Sequence, residues 1–240
     1  MMNPEPRSSL RRPDFGGQTY YDWSMPKWIK TAIALLLLPF CAGAVSTLIR
    51  VLRATGSADT FWVACLGGGA CWLVVFLLLP KPMLFYVFGH ELTHAVWTWL
   101  FGGRVKRFKA SSKGGHVVVS KSNFLIVLAP YFFPLYAVLV LLIFALGQML
   151  FGWNRYLVWF HLLIGFTYSF HVTLTWHILR TRQTDITSQG YLFSAVVIFL
   201  GNISVLLAGL PLLTARLTML TALGWWMHET GAILERVSRL

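Results

Sequence analysis

His90, Glu91 and His94 are the residues of this chain whose types and spacing could do chemistry. On an α-helix the two imidazoles stand about one turn apart, so both can reach a single metal ion. The glutamate between them lies where it can take a proton from a water on that ion. The whole motif, Gly89-His90-Glu91-Leu92-Thr93-His94-Ala95, falls inside an apolar segment. Ionisable groups in hydrocarbon are costly and are kept for function. A shared zinc ion would give this cluster a common reason to be there.

A zinc site of this kind needs a third protein ligand and leaves its fourth position to water. The chain has eight acids: Glu5, Asp14, Asp22, Asp59, Glu91, Asp185, Glu229 and Glu235. Between Asp59 and Glu229 only Glu91 and Asp185 occur, which makes Asp185 the candidate third ligand. Its rival roles are a helix N-cap and an ion-pair partner for Arg180 or Arg182 at the membrane surface. Among His161, His171 and His177, His171 lies deepest in its apolar window and is the reserve ligand. Interhelical hydrogen bonding is the plainer role for all three. Glu229, next to His228, is a remote candidate because it follows the last apolar window.

Two further features could contact a substrate. The stretch 104–121 carries six basic residues, Gly114, Gly115 and His116, and a strand-like run from Val117 to Val119. It predicts a short β-hairpin or amphipathic loop near the mouth of the site. A free strand edge there could pair with an extended peptide, with Gly115 and His116 in contact; a loop lying on lipid headgroups is the alternative. Asn202 interrupts the last apolar window and serves either as helix–helix glue or as a donor to a substrate carbonyl.

The elements that must position these residues follow from composition. The chain is 57% hydrophobic and 12% charged, far from a soluble domain and typical of a polytopic membrane protein. Apolar windows fall at 31–49, 60–80, 83–102, 124–150, 156–179 and 191–213, each long enough to cross a bilayer. The predicted class is all-α and polytopic, with about six transmembrane helices and a short β-hairpin or re-entrant loop after the motif helix. Pro80 and Pro82 divide the second window from the third, and Pro130 and Pro134 should bend the fourth or mark its start.

Three parts are expected: a polar tail at 1–30, a membrane core at 31–213 and an interfacial amphipathic tail at 214–240. The tail at 1–30 has no signal-peptide pattern, so the first span reads as an uncleaved anchor. With strictly alternating spans, the segment 180–190 emerges on the face where the third span ends. Its polar run from Gln183 to Ser188 reads as an unwound or re-entrant stretch that dips toward the motif.

The formal charge of +12 fits basic residues flanking the spans against anionic lipid headgroups, not a nucleic-acid partner. Alternation divides the 20 Lys and Arg into equal halves, so charge does not orient the chain. Cys41, Cys65 and Cys71 lie in apolar windows without metal-ligand spacing and read as packing residues.

The chain resembles the site-2 protease family of intramembrane zinc metallopeptidases. The resemblance rests on the motif from Gly89 to Ala95 within a span, Phe101-Gly102-Gly103-Arg104-Val105 after it, the Gly-Gly loop at Gly114 and Gly115, and the distant Asp185. It covers about residues 83–205. It implies one zinc held by His90, His94 and Asp185, with Glu91 activating water as general base, and a site nearer the cytoplasmic side of the cell membrane. Thr184 and Ile186 flank Asp185, where the family often has Asn-Pro-Asp-Gly or Leu-Asp-Gly. The expected function is hydrolysis of a peptide bond in a membrane-embedded helix of a protein substrate. The alternatives are a non-proteolytic metal-binding or chaperone protein of the same fold and, below that, an ion or proton transporter built on the buried carboxylates. Oligomeric state has no signature in the chain.

Overall fold

The computed structural model describes residues 25–239. Of the polar tail expected over 1–30, residues 1–24 lie outside the described residues, and Asp14 and Asp22 with them. In lipid every backbone N–H and C=O must be bonded within its own segment or a closed sheet, so the apolar windows become helices. In chain order they are α1 (Lys27–Thr55), α2 (Asp59–Leu78) and α3 (Met83–Leu100). A hairpin of β1 (Val105–Ser111) and β2 (Gly114–Val119) follows. Next come α4 (Phe124–Leu128), a 3-10 turn (Ala129–Tyr131), α5 (Leu135–Phe151) and α6 (Leu157–Leu179). A short α7 (Thr184–Gln189), α8 (Tyr191–Thr214) and α9 (Met219–Ser238) complete the described chain.

The molecule is an all-α polytopic membrane protein with a two-stranded antiparallel sheet after the motif helix. The helices α1, α2, α6 with its preceding 3-10 turn, and α8 are each long and apolar enough to cross a membrane. The segments Phe124–Tyr131 and Leu135–Phe151 together would make a fifth span, bent by 84°. The bend falls between Pro130 and Pro134, where proline removes backbone donors and crowds the preceding turn. The sixth helix in an apolar window is α3, which carries His90, Glu91 and His94.

Packing sets the directions of the helices. Gly68 and Gly69 of α2 lie against Leu162 and Ser169 of α6, and Trp72 Nε1 donates to Thr173 Oγ1 at 2.7 Å. Sequence numbers rise together along this seam, so α2 and α6 run parallel. A Cβ on Gly165 would collide with the backbone of Cys65, so bare backbone is what allows the close approach. Likewise α1 runs parallel to α8: Ala34 clusters with Phe193 and Val196, and Val51 with Leu207 and Leu210. Met83 and Tyr86, at the start of α3, share a cluster with Leu174 and Ile178 near the end of α6. Strict alternation expects the end of α3 at that face; the helix instead starts there. The tight Pro80–Pro82 connection sends α3 back from the face that α2 and α6 both reach. His90 lies seven residues from Met83, about 10 Å along the helix from that face.

Two smaller elements frame the site. The hairpin pairs Lys109 with His116 and Ser111 with Gly114, whose φ of 138° is a conformation side chains rarely adopt. The segment 184–189, expected to be unwound, is a short helix closed by Gly190 at φ 94°. Lys30 Nζ donates to Gln189 Oε1 at 2.8 Å, tying α7 to the first turn of α1. Along the other side of α1, α9 is clasped by the Arg50–Glu229 ion pair at 2.8 Å and by Trp226 Nε1 donating to Phe40 O at 3.0 Å. Cys41, Cys65 and Cys71 are free thiols.

Candidate metal centre

His90 and His94 stand one turn apart on α3, their ring centroids 5.0 Å from each other. His94 Nδ1 hydrogen-bonds to Ile126 O at 2.8 Å, which fixes its tautomer and leaves Nε2 free for a metal. That bond exists because Asn123 caps α4, its side chain accepting from Ile126 N, and so presents the first turn of α4 to α3.

Asp185 is the second residue of α7 and meets both imidazoles. Its Oδ2 lies 3.4 Å from His90 Nε2 and 3.6 Å from His94 Nε2. These separations exceed the about 2.7–3.2 Å of a nitrogen–oxygen hydrogen bond. Two ligands each at about 2.0–2.1 Å from a tetrahedral zinc would lie about 3.3–3.4 Å apart. The three ligand atoms all fall within 4.8 Å of one another, and this group could hold a metal ion. Two imidazole nitrogens and one carboxylate oxygen are a donor set that zinc accepts while keeping a position for water. Burial raises the Asp185 carboxyl, and the two imidazoles beside it lower it by more, so it stays ionised below the usual carboxylate range. The capping position of α7 is Gln183, not Asp185.

A cavity of about 410 Å³ opens onto this group. Glu91, 7% exposed, lines it together with Gly114, Gly115 and His116 of the hairpin. Gly115 packs flat on α3: a Cβ there would stand 2.7 Å from Glu91 Cγ and 2.9 Å from Val87 Cγ1. The hairpin therefore forms a wall of the site. A larger cavity of about 630 Å³ lies among α1, α2, α5, α6 and α8, but its lining is apolar and holds none of the motif residues.

Other candidates are placed elsewhere. His171 lines a separate small cavity beside His90, outside the group of three. Asn202 donates to Tyr131 O at 3.1 Å and to Ile198 O at 2.9 Å, and does not line the cavity at Glu91. Glu229 pairs with Arg50. Tyr131 is absent from the sequence expectations, yet its hydroxyl donates to Asp185 Oδ2 at 3.0 Å and its ring packs edge-on against His90. Its signal was a tyrosine between two prolines in Pro130-Tyr131-Phe132-Phe133-Pro134, where only the prolines speak from sequence.

With this geometry in view, the comparison with known families is specific. Residues 63–179 match the Peptidase M50B-like family model. The match is consistent with a site-2 protease-like family, in agreement with the resemblance carried by the motif. The M50B-like segment contains His90, Glu91 and His94 and stops short of Asp185. It supports a peptidase of the membrane metallopeptidase kind. No curated protein and no solved structure matches the chain.

Proposed function

We propose that the protein is an intramembrane zinc endopeptidase that cuts a peptide bond in a membrane-embedded helix. The observation that carries the proposal is the convergence of His90 Nε2, His94 Nε2 and Asp185 Oδ2 at ligand-like separations, with Glu91 on the same cavity. His90, His94 and Asp185 are assigned as the ligands of one zinc per chain. A zinc ion held there would lower the pKa of its water toward 7 and polarise a scissile carbonyl.

Glu91 accepts the proton of the attacking water and passes it to the leaving amine. Its position between the two histidine ligands, buried under Gly115, keeps that carboxylate beside the reacting atoms. A peptide bond within a helix hides its carbonyl in i→i−4 bonding, so the substrate must be extended locally before attack. The β2 strand supplies a place for it: β1 is its sole partner among the described residues, and its residues Gly115 and His116 border the cavity. An extended substrate segment adds along that edge. The partners are a membrane protein substrate and the surrounding bilayer. The resemblance supports a cell-membrane location with the site nearer the cytoplasm.

The test is metal content and cleavage in one preparation, with a model membrane-helix substrate in liposomes. Wild-type protein should hold about one zinc per chain and cleave. Glu91→Gln should keep the zinc and lose activity by about 10²–10⁴-fold, the usual worth of a general base. Zinc retention without cleavage by the wild type would favour the non-proteolytic metal protein instead. Absence of metal from an active wild type would remove the zinc assignment.

A further inference from the structure

The two motif histidines are supported unequally. His94 has its second nitrogen bonded to Ile126 O, whereas His90 Nδ1 is buried with no partner among the described residues. Metal-binding imidazoles almost always donate through the nitrogen that does not bind the metal, to a carboxylate, a carbonyl or a water.

The surroundings of that nitrogen are unusual for a membrane helix seam. Tyr86 and His90 stand one turn apart on α3, and His171 and Thr175 stand one turn apart on α6. The antiparallel crossing sets Tyr86 beside Thr175 and brings His90 and His171 onto one small cavity. Each of the four presents a buried polar atom with no well-formed hydrogen bond among the described residues: Tyr86 Oη and Thr175 Oγ1, which lie beside each other, His90 Nδ1 and His171 Nε2. His171 is 8% exposed and Thr175 is 6% exposed. Tyr86, His90 and His171 line a cavity of about 20 Å³ that α3 and α6 enclose together with Pro130, Phe133, Leu135 and Tyr136. One water needs about 10–15 Å³ measured this way, and two to four polar partners. The cavity meets both conditions, and His90 borders it while its Nε2 faces Asp185 on the other side.

We propose that His171 and Tyr86 hold a single buried water against His90 Nδ1, making His171 a positioning residue for the first motif histidine. The inference rests on His90 being a metal ligand. The water accepts from His90 Nδ1–H and from the Tyr86 hydroxyl and donates to His171 Nε2, with His171 neutral and protonated on Nδ1. This does for His90 what the Ile126 carbonyl does for His94: it fixes the tautomer and the ring plane. The histidine that the sequence offers as a reserve ligand then acts one step behind the metal.

Zinc affinity measured by chelator competition on the purified full chain tests this, together with the visible spectrum of the cobalt-loaded protein. His171→Leu should weaken zinc by about 10- to 100-fold, the usual effect of removing an outer partner of a metal-binding histidine. It should also shift the cobalt bands. His171→Gln, which keeps an acceptor, should restore most of the affinity. His161→Leu removes another buried histidine of α6, one packed on Phe61, and should leave both readouts at wild-type values. Wild-type affinity and spectrum in His171→Leu would overturn the proposal. If His171→Leu fails to fold, Tyr86→Phe decides, since it removes one oxygen and keeps the ring: weaker zinc supports the shared water, and unchanged zinc overturns it. A wild-type protein that binds no zinc, or binds it as well after His94→Ala, would instead overturn the metal site itself and this inference with it.

Discussion

Asp185 offers one oxygen to three side chains: Tyr131 at 3.0 Å, His90 at 3.4 Å and His94 at 3.6 Å. If that oxygen is a zinc ligand, Asp185→Asn should cost more metal affinity than the about 10- to 100-fold typical of outer partners. Asp59→Asn, at the start of α2, should cost none. A mere helix-capping role predicts near silence, because asparagine caps as well as aspartate; chelator competition separates the two. Tyr131→Phe removes the hydroxyl that orients the carboxylate and should fall in the about 10- to 100-fold range. The meeting of Asp185 with His90 and His94 was legible because membrane cores hold so few carboxylates that elimination points to one. Tyr131 was not, since its contact with Asp185 exists only once the proline bend turns the 3-10 segment across α3 and α7.

At the scale of elements, the hairpin and the break in the fourth span were legible from local chemistry. Gly114 and Gly115 before a valine run permit a turn and a strand, and two prolines four residues apart cannot sit inside a straight helix. The direction of α3 was not legible, because alternation assumes that every apolar window crosses alone, while glycine seams pair α2 with α6 regardless of chain order. The segment 184–189 has too few apolar residues to announce a helix, and it gains its contacts from α4 and α8 after folding. The hairpin also carries a prediction. Gly115→Val places a branched side chain where Glu91 Cγ and Val87 Cγ1 already stand within 3 Å of its Cβ. The hairpin must lift from α3, so cleavage should fall while zinc content stays at the wild-type level. Loss of zinc in Gly115→Val, measured beside cleavage, would show that the hairpin supports the ligands themselves.

For the whole molecule, the apolar windows were enough to anticipate a polytopic helical membrane protein, of which four helices, or five with the bent pair, are long and apolar enough to span among the described residues; nothing in their hydropathy could foretell which would lie side by side. The site draws on positions as far apart as His90, Ile126, Tyr131 and Asp185, and Asn202 secures the carbonyl of Tyr131 from α8. Its three candidate donors are nevertheless mounted on very different supports. Two belong to an 18-residue helix whose inner face is buried. The third belongs to a six-residue helix with no fully buried residue, moored at its end by the Lys30–Gln189 bond. Short, exposed elements open locally at far lower free energy than the whole fold. For an ion held by these three residues, residence time would thereby be separated from stability: the ion would depart when α7 lifts, long before the bundle comes apart. Lys30→Met should shorten the half-life of zinc on the protein, followed by release to a chelator, while the melting temperature moves little. Equal half-lives for Lys30→Met and wild type would mean that the clock of the site runs on some slower part of the bundle.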